Sequence, residues 1–120
     1  MTFDEIKKYL TVLDGPVEKL EFIMDLGNTL QPVPSNAKCY EIAGCTSFVQ
    51  ICQSEDRFYA NADSALVRGI MAVFIAMVDG KSVQQIKEMN LADEFLALNL
   101  QLGAGRTNGV NSVIRFFEKL

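Results

Sequence analysis

The stretch Cys39-Tyr40-Glu41-Ile42-Ala43-Gly44-Cys45-Thr46-Ser47-Phe48-Val49-Gln50-Ile51-Cys52 decides how this chain is read. Two short runs of alternating apolar and polar residues, Tyr40 to Ala43 and Ser47 to Cys52, flank Gly44-Cys45. Alternation with period two marks half-buried strands, and glycine supplies the positive φ that a tight hairpin bend needs. The segment predicts a β-hairpin with a thiol at its bend. A cysteine used for packing rarely sits at such a tip, so Cys45 is the first candidate for chemistry.

Strand alternation sorts the hairpin side chains into two faces. Tyr40, Ile42, Val49 and Ile51 share one, which should face the core; Cys39, Glu41, Gln50, Cys52 and Phe48 share the other. Two registers remain open. A loop over Gly44 to Ser47 sets Cys39 opposite Cys52, whereas a two-residue Gly44-Cys45 turn sets Cys39 opposite Gln50. In both, Cys45 stands apart at the tip while the other two cysteines lie on strands.

Moving outward, Gln53 to Asp56 is a polar turn, and Arg57 to Asn61 reads as a third strand that completes a small antiparallel meander. Asp63 is a candidate N-cap for a helix ending near Asp79 and Gly80. From Gly69 to Val78 that helix is apolar or glycine on every side, so it should be buried on every side. Upstream, Thr2 with Glu5 forms a capping-box pattern opening a short helix that stops by Gly15. Pro16 fits the first position of a second helix, to about Leu30, with Val17, Leu20, Ile23, Met24 and Gly27 on one stripe. Residues 31–37 read as a loop. Downstream, Ser82 with Gln85 opens a short helix to about Met89, Ala92 to Leu98 adds a turn or two, and Thr107 to Lys119 forms a last helix. Its stripe of Val110, Val113, Ile114, Phe117 and Leu120 reads as core.

The 120 residues, 49% of them hydrophobic, are expected to form one domain, 1–120, with a single core. The longest apolar stretch is too short to span a bilayer, and Met1-Thr2-Phe3-Asp4-Glu5 lacks the basic-then-apolar order of a signal peptide, so a cytoplasmic protein without membrane attachment is expected. A net charge of -4, from 11 basic against 15 acidic residues with no basic run, disfavours nucleic acid as a partner. Three cysteines in an expected reducing compartment argue against a disulfide framework, and the spacing Cys39, Cys45, Cys52 matches neither paired zinc ligands nor a CxxC redox motif. No histidine is present, which removes the usual base of a cysteine hydrolase.

Three blocks together carry a family likeness: Ile42-Ala43-Gly44-Cys45-Thr46-Ser47-Phe48-Val49, then Phe58 to Gly69 with Asp63-Ser64-Ala65-Leu66-Val67-Arg68-Gly69, then Gly105-Arg106-Thr107-Asn108-Gly109. In order and spacing they resemble the SufE/CsdE family of sulfur acceptors, over a span from about Val17 to the C-terminus. The resemblance implies an α+β fold, a small three-stranded antiparallel sheet packed with helices. It also implies that Cys45 takes persulfide sulfur from a cysteine desulfurase, whose pyridoxal phosphate belongs to that partner, and passes it to an iron-sulfur scaffold complex. No cofactor or metal of the chain's own is implied. The expected role is a persulfide carrier and desulfurase activator rather than a stand-alone enzyme. The family commonly has S-Q-V-W after the cysteine and H-L-[ST]-P-[ST]-R near the C-terminus; here stand Ser47-Phe48-Val49-Gln50 and Gln101-Leu102-Gly103-Ala104-Gly105-Arg106.

Sulfur transfer needs a nucleophile and a docking surface and little else, which suits a chain without histidine. Gly44 is the expected hinge, and Leu66, Val67 and Ile70 are apolar neighbours against which Cys45 could rest until a partner turns it outward. Arg106 is the family-matched cation; it reads either as a thiolate neighbour or as a loop-fastening arginine. Arg68 reads as structural, and Asp63 as an N-cap that supports the site by proximity. An iron-sulfur or metal scaffold using Cys39, Cys45 and Cys52 is the alternative from another class. The sequence leaves a homodimer open.

Overall fold

The computed structural model describes residues 1–45 and 47–120. In chain order they form α1 (Phe3–Val12), α2 (Pro16–Leu26) continued by a 3-10 turn (Gly27–Thr29), β1 (Lys38–Glu41), β2 (Val49–Ser54), β3 (Arg57–Ala62), α3 (Ala65–Val78), α4 (Val83–Glu88), α5 (Leu91–Leu96) and α6 (Ala104–Glu118). The strands make one antiparallel sheet in the order β1-β2-β3. This is the expected α+β fold, a small three-stranded antiparallel sheet packed with helices.

Local chemistry sets most boundaries. The Thr2 hydroxyl accepts the Glu5 N–H while the Glu5 carboxylate accepts the Thr2 N–H, and Ser82 with Gln85 repeats the device at α4. Pro16 occupies the first turn of α2. At α3 the cap is Ser64, whose hydroxyl accepts the Val67 N–H, and not Asp63 one residue earlier. The second helix ends at Leu26 and not near Leu30; on it Ile23 and Leu26 are buried and Leu20 is half-buried, while Val17 and Met24 are exposed, and Gly27 is buried in the 3-10 turn that follows. The apolar stripe of α2 is thus narrower than its composition suggests.

The core lies between the inner face of the sheet and the helices, with α3 at its centre. Ile70, Met71, Val73, Phe74, Met77 and Val78 of α3 are buried, but Ile75 and Ala76 are only half-buried and border a surface cleft, so the run is covered on most of its circumference and not on every side. A Cβ on Gly69 would collide with the Ile23 carbonyl, so α2 and α3 cross at a spacing only glycine allows. Phe74 stacks on Phe95 at 4.8 Å between centroids, and Phe117 of α6 meets Phe58 of β3 edge-on at 5.4 Å. That second contact fixes α6 against the sheet beside the hairpin.

The register is the first of the two alternatives: Cys39 pairs with Cys52, Tyr40 with Ile51 and Glu41 with Gln50. One expectation is corrected here. Cys39 and Cys52 are not separate packing thiols but a disulfide across β1 and β2, with Cα atoms 4.0 Å apart. The register makes them directly opposite residues on one face, where the sulfurs meet; cysteine parity and an assumed compartment carry no information about that geometry. Among the described residues no helix is long and apolar enough to cross a membrane.

Candidate functional site

The loop between β1 and β2 is tied at its base on both sides. The Ile42 N–H donates to the Val49 carbonyl at 2.8 Å, and the Asp63 N–H donates to the Phe48 carbonyl at 3.3 Å. Between these ties the chain turns at Gly44, whose φ of 87° is the left-handed conformation expected of the bend. Thr46, part of the Gly44-Cys45-Thr46-Ser47 motif and of the expected loop, lies outside the described residues.

From Tyr40 to Cys45 the chain lies along one edge of α6. Tyr40 rests on Phe116 with ring centroids 5.6 Å apart. A Cβ on Gly44 would come within 2.7 Å of the Ser112 hydroxyl, and one on Gly109 within 3.1 Å of the Cys45 Sγ. Gly109, Ser112 and Phe116 are spaced by three and four residues, one stripe of a helix. Small residues at the N-terminal end of the stripe let the loop settle against helix backbone, and the aromatic at the other end holds the strand. Ser112 is itself fixed, its hydroxyl donating to the Asn108 carbonyl at 3.1 Å and accepting from Arg115 at 3.3 Å.

Cys45 is half-buried at the mouth of a cavity of about 30 Å³. Its walls are Val67, Ile70 and Met71 of α3, Val49 of β2, Gly105, Arg106, Gly109, Val110 and Val113 of α6, and Ser47 of the loop. These surroundings hold the thiol above its usual pKa, and the cause is desolvation by burial. Arg106 stands on the cavity wall in the first turn of α6 and donates to the Leu102 carbonyl at 3.2 Å, a bond that fastens the loop before the helix. Arg106 shares the cavity lining with Cys45, but the one influence that moves the thiol is apolar burial. Burial therefore shifts Cys45 towards its protonated form.

The other expected residues fall in stated places. Val67 and Ile70 line the cavity, whereas Leu66 is buried in the core without forming its wall. Asp63 supports the loop through its backbone, while its side chain borders a separate cleft with Gly27, Asn28 and Arg68. Arg68 reaches the Gly27 carbonyl at 3.4 Å, a bond between α3 and the 3-10 turn. Gly109, Ser112 and Phe116 had no role assigned from sequence. A glycine inside a helix costs about 1 kcal/mol relative to alanine, and that cost at Gly109 was the available signal of a close approach.

The alternative of three cysteine ligands meets an obstacle in this geometry. Cys39 and Cys52 are bonded to each other on the outer face of the sheet, while Cys45 rests in the cavity walled by α3 and α6. Among the described residues no three Cys, Asp or Glu side chains are grouped as metal ligands would be.

Residues 4–120 match the family described as SufE: Fe-S metabolism associated domain. The chain is 28% identical to an uncharacterized SufE-like protein of Rhizobium meliloti, over 95% of this chain and 90% of that protein. It is 30% identical to the sulfur acceptor protein CsdE of Escherichia coli, over 94% of this chain and 83% of that one. It is 29% identical to SufE-like protein 1, chloroplastic/mitochondrial, of Arabidopsis thaliana, where 96% of this chain covers 33% of the relative.

Proposed function

We propose, from the premise that this chain belongs to the SufE family, that it is a sulfur acceptor whose Cys45 takes persulfide sulfur from a cysteine desulfurase. The observation that carries the assignment is the state of the three cysteines. Two are joined to each other, and among the described residues Cys45 alone has a free thiol, at the tip of a loop with an apolar recess beside it.

The transfer is thiol chemistry and consumes no oxidant. The Cys45 thiolate attacks the outer sulfur of the donor persulfide, a new Sγ–S bond forms, the donor S–S bond breaks, and the donor cysteine leaves as a thiolate that takes up a proton. Clearing its persulfide frees the donor for another turnover, so the carrier activates the desulfurase. The pyridoxal phosphate that cleaves the C–S bond of free cysteine belongs to the donor; this chain needs no cofactor of its own for the step. The recipient in this proposal is an iron-sulfur scaffold complex, in line with the family's association with Fe-S metabolism.

The cavity supports a carrier with a protected resting state. Its 30 Å³ is room for about one small guest atom beside the thiol, within mostly apolar walls. To react, Cys45 has to leave. The positive-φ Gly44 is the residue able to absorb the backbone change, and a partner that binds the outward tip shifts the loop equilibrium towards it.

The test is mass spectrometry of each cysteine after incubation with a desulfurase and free cysteine. Wild-type protein should gain one sulfur on Cys45, and Cys45→Ser should gain none while remaining folded. After reduction, equal persulfide yield on Cys39 or Cys52 would overturn the assignment of one acceptor.

A further inference from the structure

We infer that the Cys39–Cys52 pair is a thiol-disulfide exchange site, open to a small thiol or dithiol reductant, that sets how readily the Cys45 tip leaves its cavity. β1 is an edge strand of four residues, all exposed, with β2 as its one strand partner. Beyond that ladder it is held by the disulfide, by Tyr40 on Phe116 and by the burial of Ile42 at its end. The next residues are the loop itself, with Gly44 on Ser112 and Cys45 on Gly109. From Cys39 to Cys45 the chain is therefore one strap along α6, with the disulfide near one end and the free thiol at the other. A short exposed edge strand frays easily, and the covalent link suppresses that fraying.

Burial directs the exchange chemistry. Cys52 is fully buried and Cys39 is exposed, so an attacking thiolate reaches the Cys39 sulfur. The Cys39–Cys52 bond breaks, a mixed disulfide forms on Cys39, and Cys52 leaves as a thiolate that takes up a proton. A second thiol then attacks the reductant's sulfur and frees Cys39, so that two thiols are oxidised to one disulfide while the protein gains two thiols. A buried leaving group is a poor one, which makes this exchange slow with monothiols and favours a dithiol, whose second sulfur is already at hand.

The experiment is alkylation of Cys45 with iodoacetamide, read by peptide mass spectrometry, on protein oxidised with glutathione disulfide and on protein reduced with dithiothreitol that is then removed. Cys45 should alkylate about fivefold or more faster in the reduced form, the factor that about 1 kcal/mol of lost anchoring produces. The double variant Cys39→Val with Cys52→Val should match the reduced wild type and ignore reductant. If that variant fails to fold, Tyr40→Ala in the oxidised form, which releases the other anchor, should raise the rate instead. Rates within about twofold in the two wild-type forms, no bond formed under oxidant, or loss of fold on reduction would each overturn the inference. Its link to function rests on the acceptor reading, but the assay needs no sulfur donor. A Cys45 that takes no sulfur yet still responds to the state of Cys39 and Cys52 would refute that reading and leave this one standing.

Discussion

Replacing Gly109 by alanine tests the seat of the Cys45 loop with a single methyl group. On the observed backbone the new Cβ lies 3.1 Å from the Cys45 Sγ, 3.7 Å from its Cβ and 3.8 Å from its Cα. The carbon contacts are ordinary; the sulfur contact is well inside the usual optimum of about 3.5–4.0 Å. Overpacking of this kind costs about 1–3 kcal/mol, and here the cost exists only while Cys45 is seated, because an outward tip removes the clash. A bias of about 1–2 kcal/mol shifts the seated-to-released ratio by about 5- to 30-fold. In the opposite sense, alanine stabilises the interior of α6 by up to about 1 kcal/mol relative to glycine, in both loop positions. The helix gain offsets only part of the seated-state cost, so the variant should keep its melting temperature or lose a few degrees while Cys45 alkylates about 5- to 30-fold faster, and its dependence on added desulfurase should shrink. A lower melting temperature with unchanged alkylation would mean that α6 moves and the loop does not, and would refute the reasoning.

Gly44→Val combines a β-branched residue at a φ of 87° with a Cβ 2.7 Å from the Ser112 hydroxyl. It should cost about 1–2 kcal/mol or more of stability and impair sulfur transfer by more than the loss of folded protein explains; transfer that falls only in step with the folded fraction would remove Gly44 as hinge. Burial raises the Cys45 pKa in the folded protein, so its contribution to stability is fully present below the unfolded value and is lost as pH rises through the folded one. Alkylation of folded protein should accordingly rise with pH along a curve displaced to higher pH than that of the same cysteine in urea; coincident curves would count against burial as the brake. Elemental analysis of purified protein should find no stoichiometric iron or zinc, and one metal per chain lost on mutation of any one cysteine would bring the scaffold reading forward. Oxidised protein should exceed the stability of its Cys39→Ser variant by about 3 kcal/mol, the loop-closure value for cysteines 13 residues apart, measured by denaturant titration.

What the sequence by itself determined are features whose cause is local. The capping boxes at Thr2 and Ser82, Pro16 at a helix start, the uniformly apolar run in α3 and the positive φ at Gly44 each follow from a few neighbouring residues, and all stand where expected. The hairpin with Cys45 at its tip is of the same kind, since period-two alternation around a glycine has few other solutions. Local chemistry erred where two neighbours could do one job, as when Ser64 and not Asp63 capped α3. The start of α6 moved one turn upstream, because Gly103-Ala104-Gly105 looks like loop until the packing of the helix behind it commits the chain. Tertiary structure alone decided the register that joins Cys39 to Cys52, the closeness of Gly109 to Cys45, and the common cavity of Arg106 and Cys45. Each is a meeting of residues far apart in the chain. Periodicity along one element says which face is buried but not what covers it, and the seat of this thiol is made by the element that covers it.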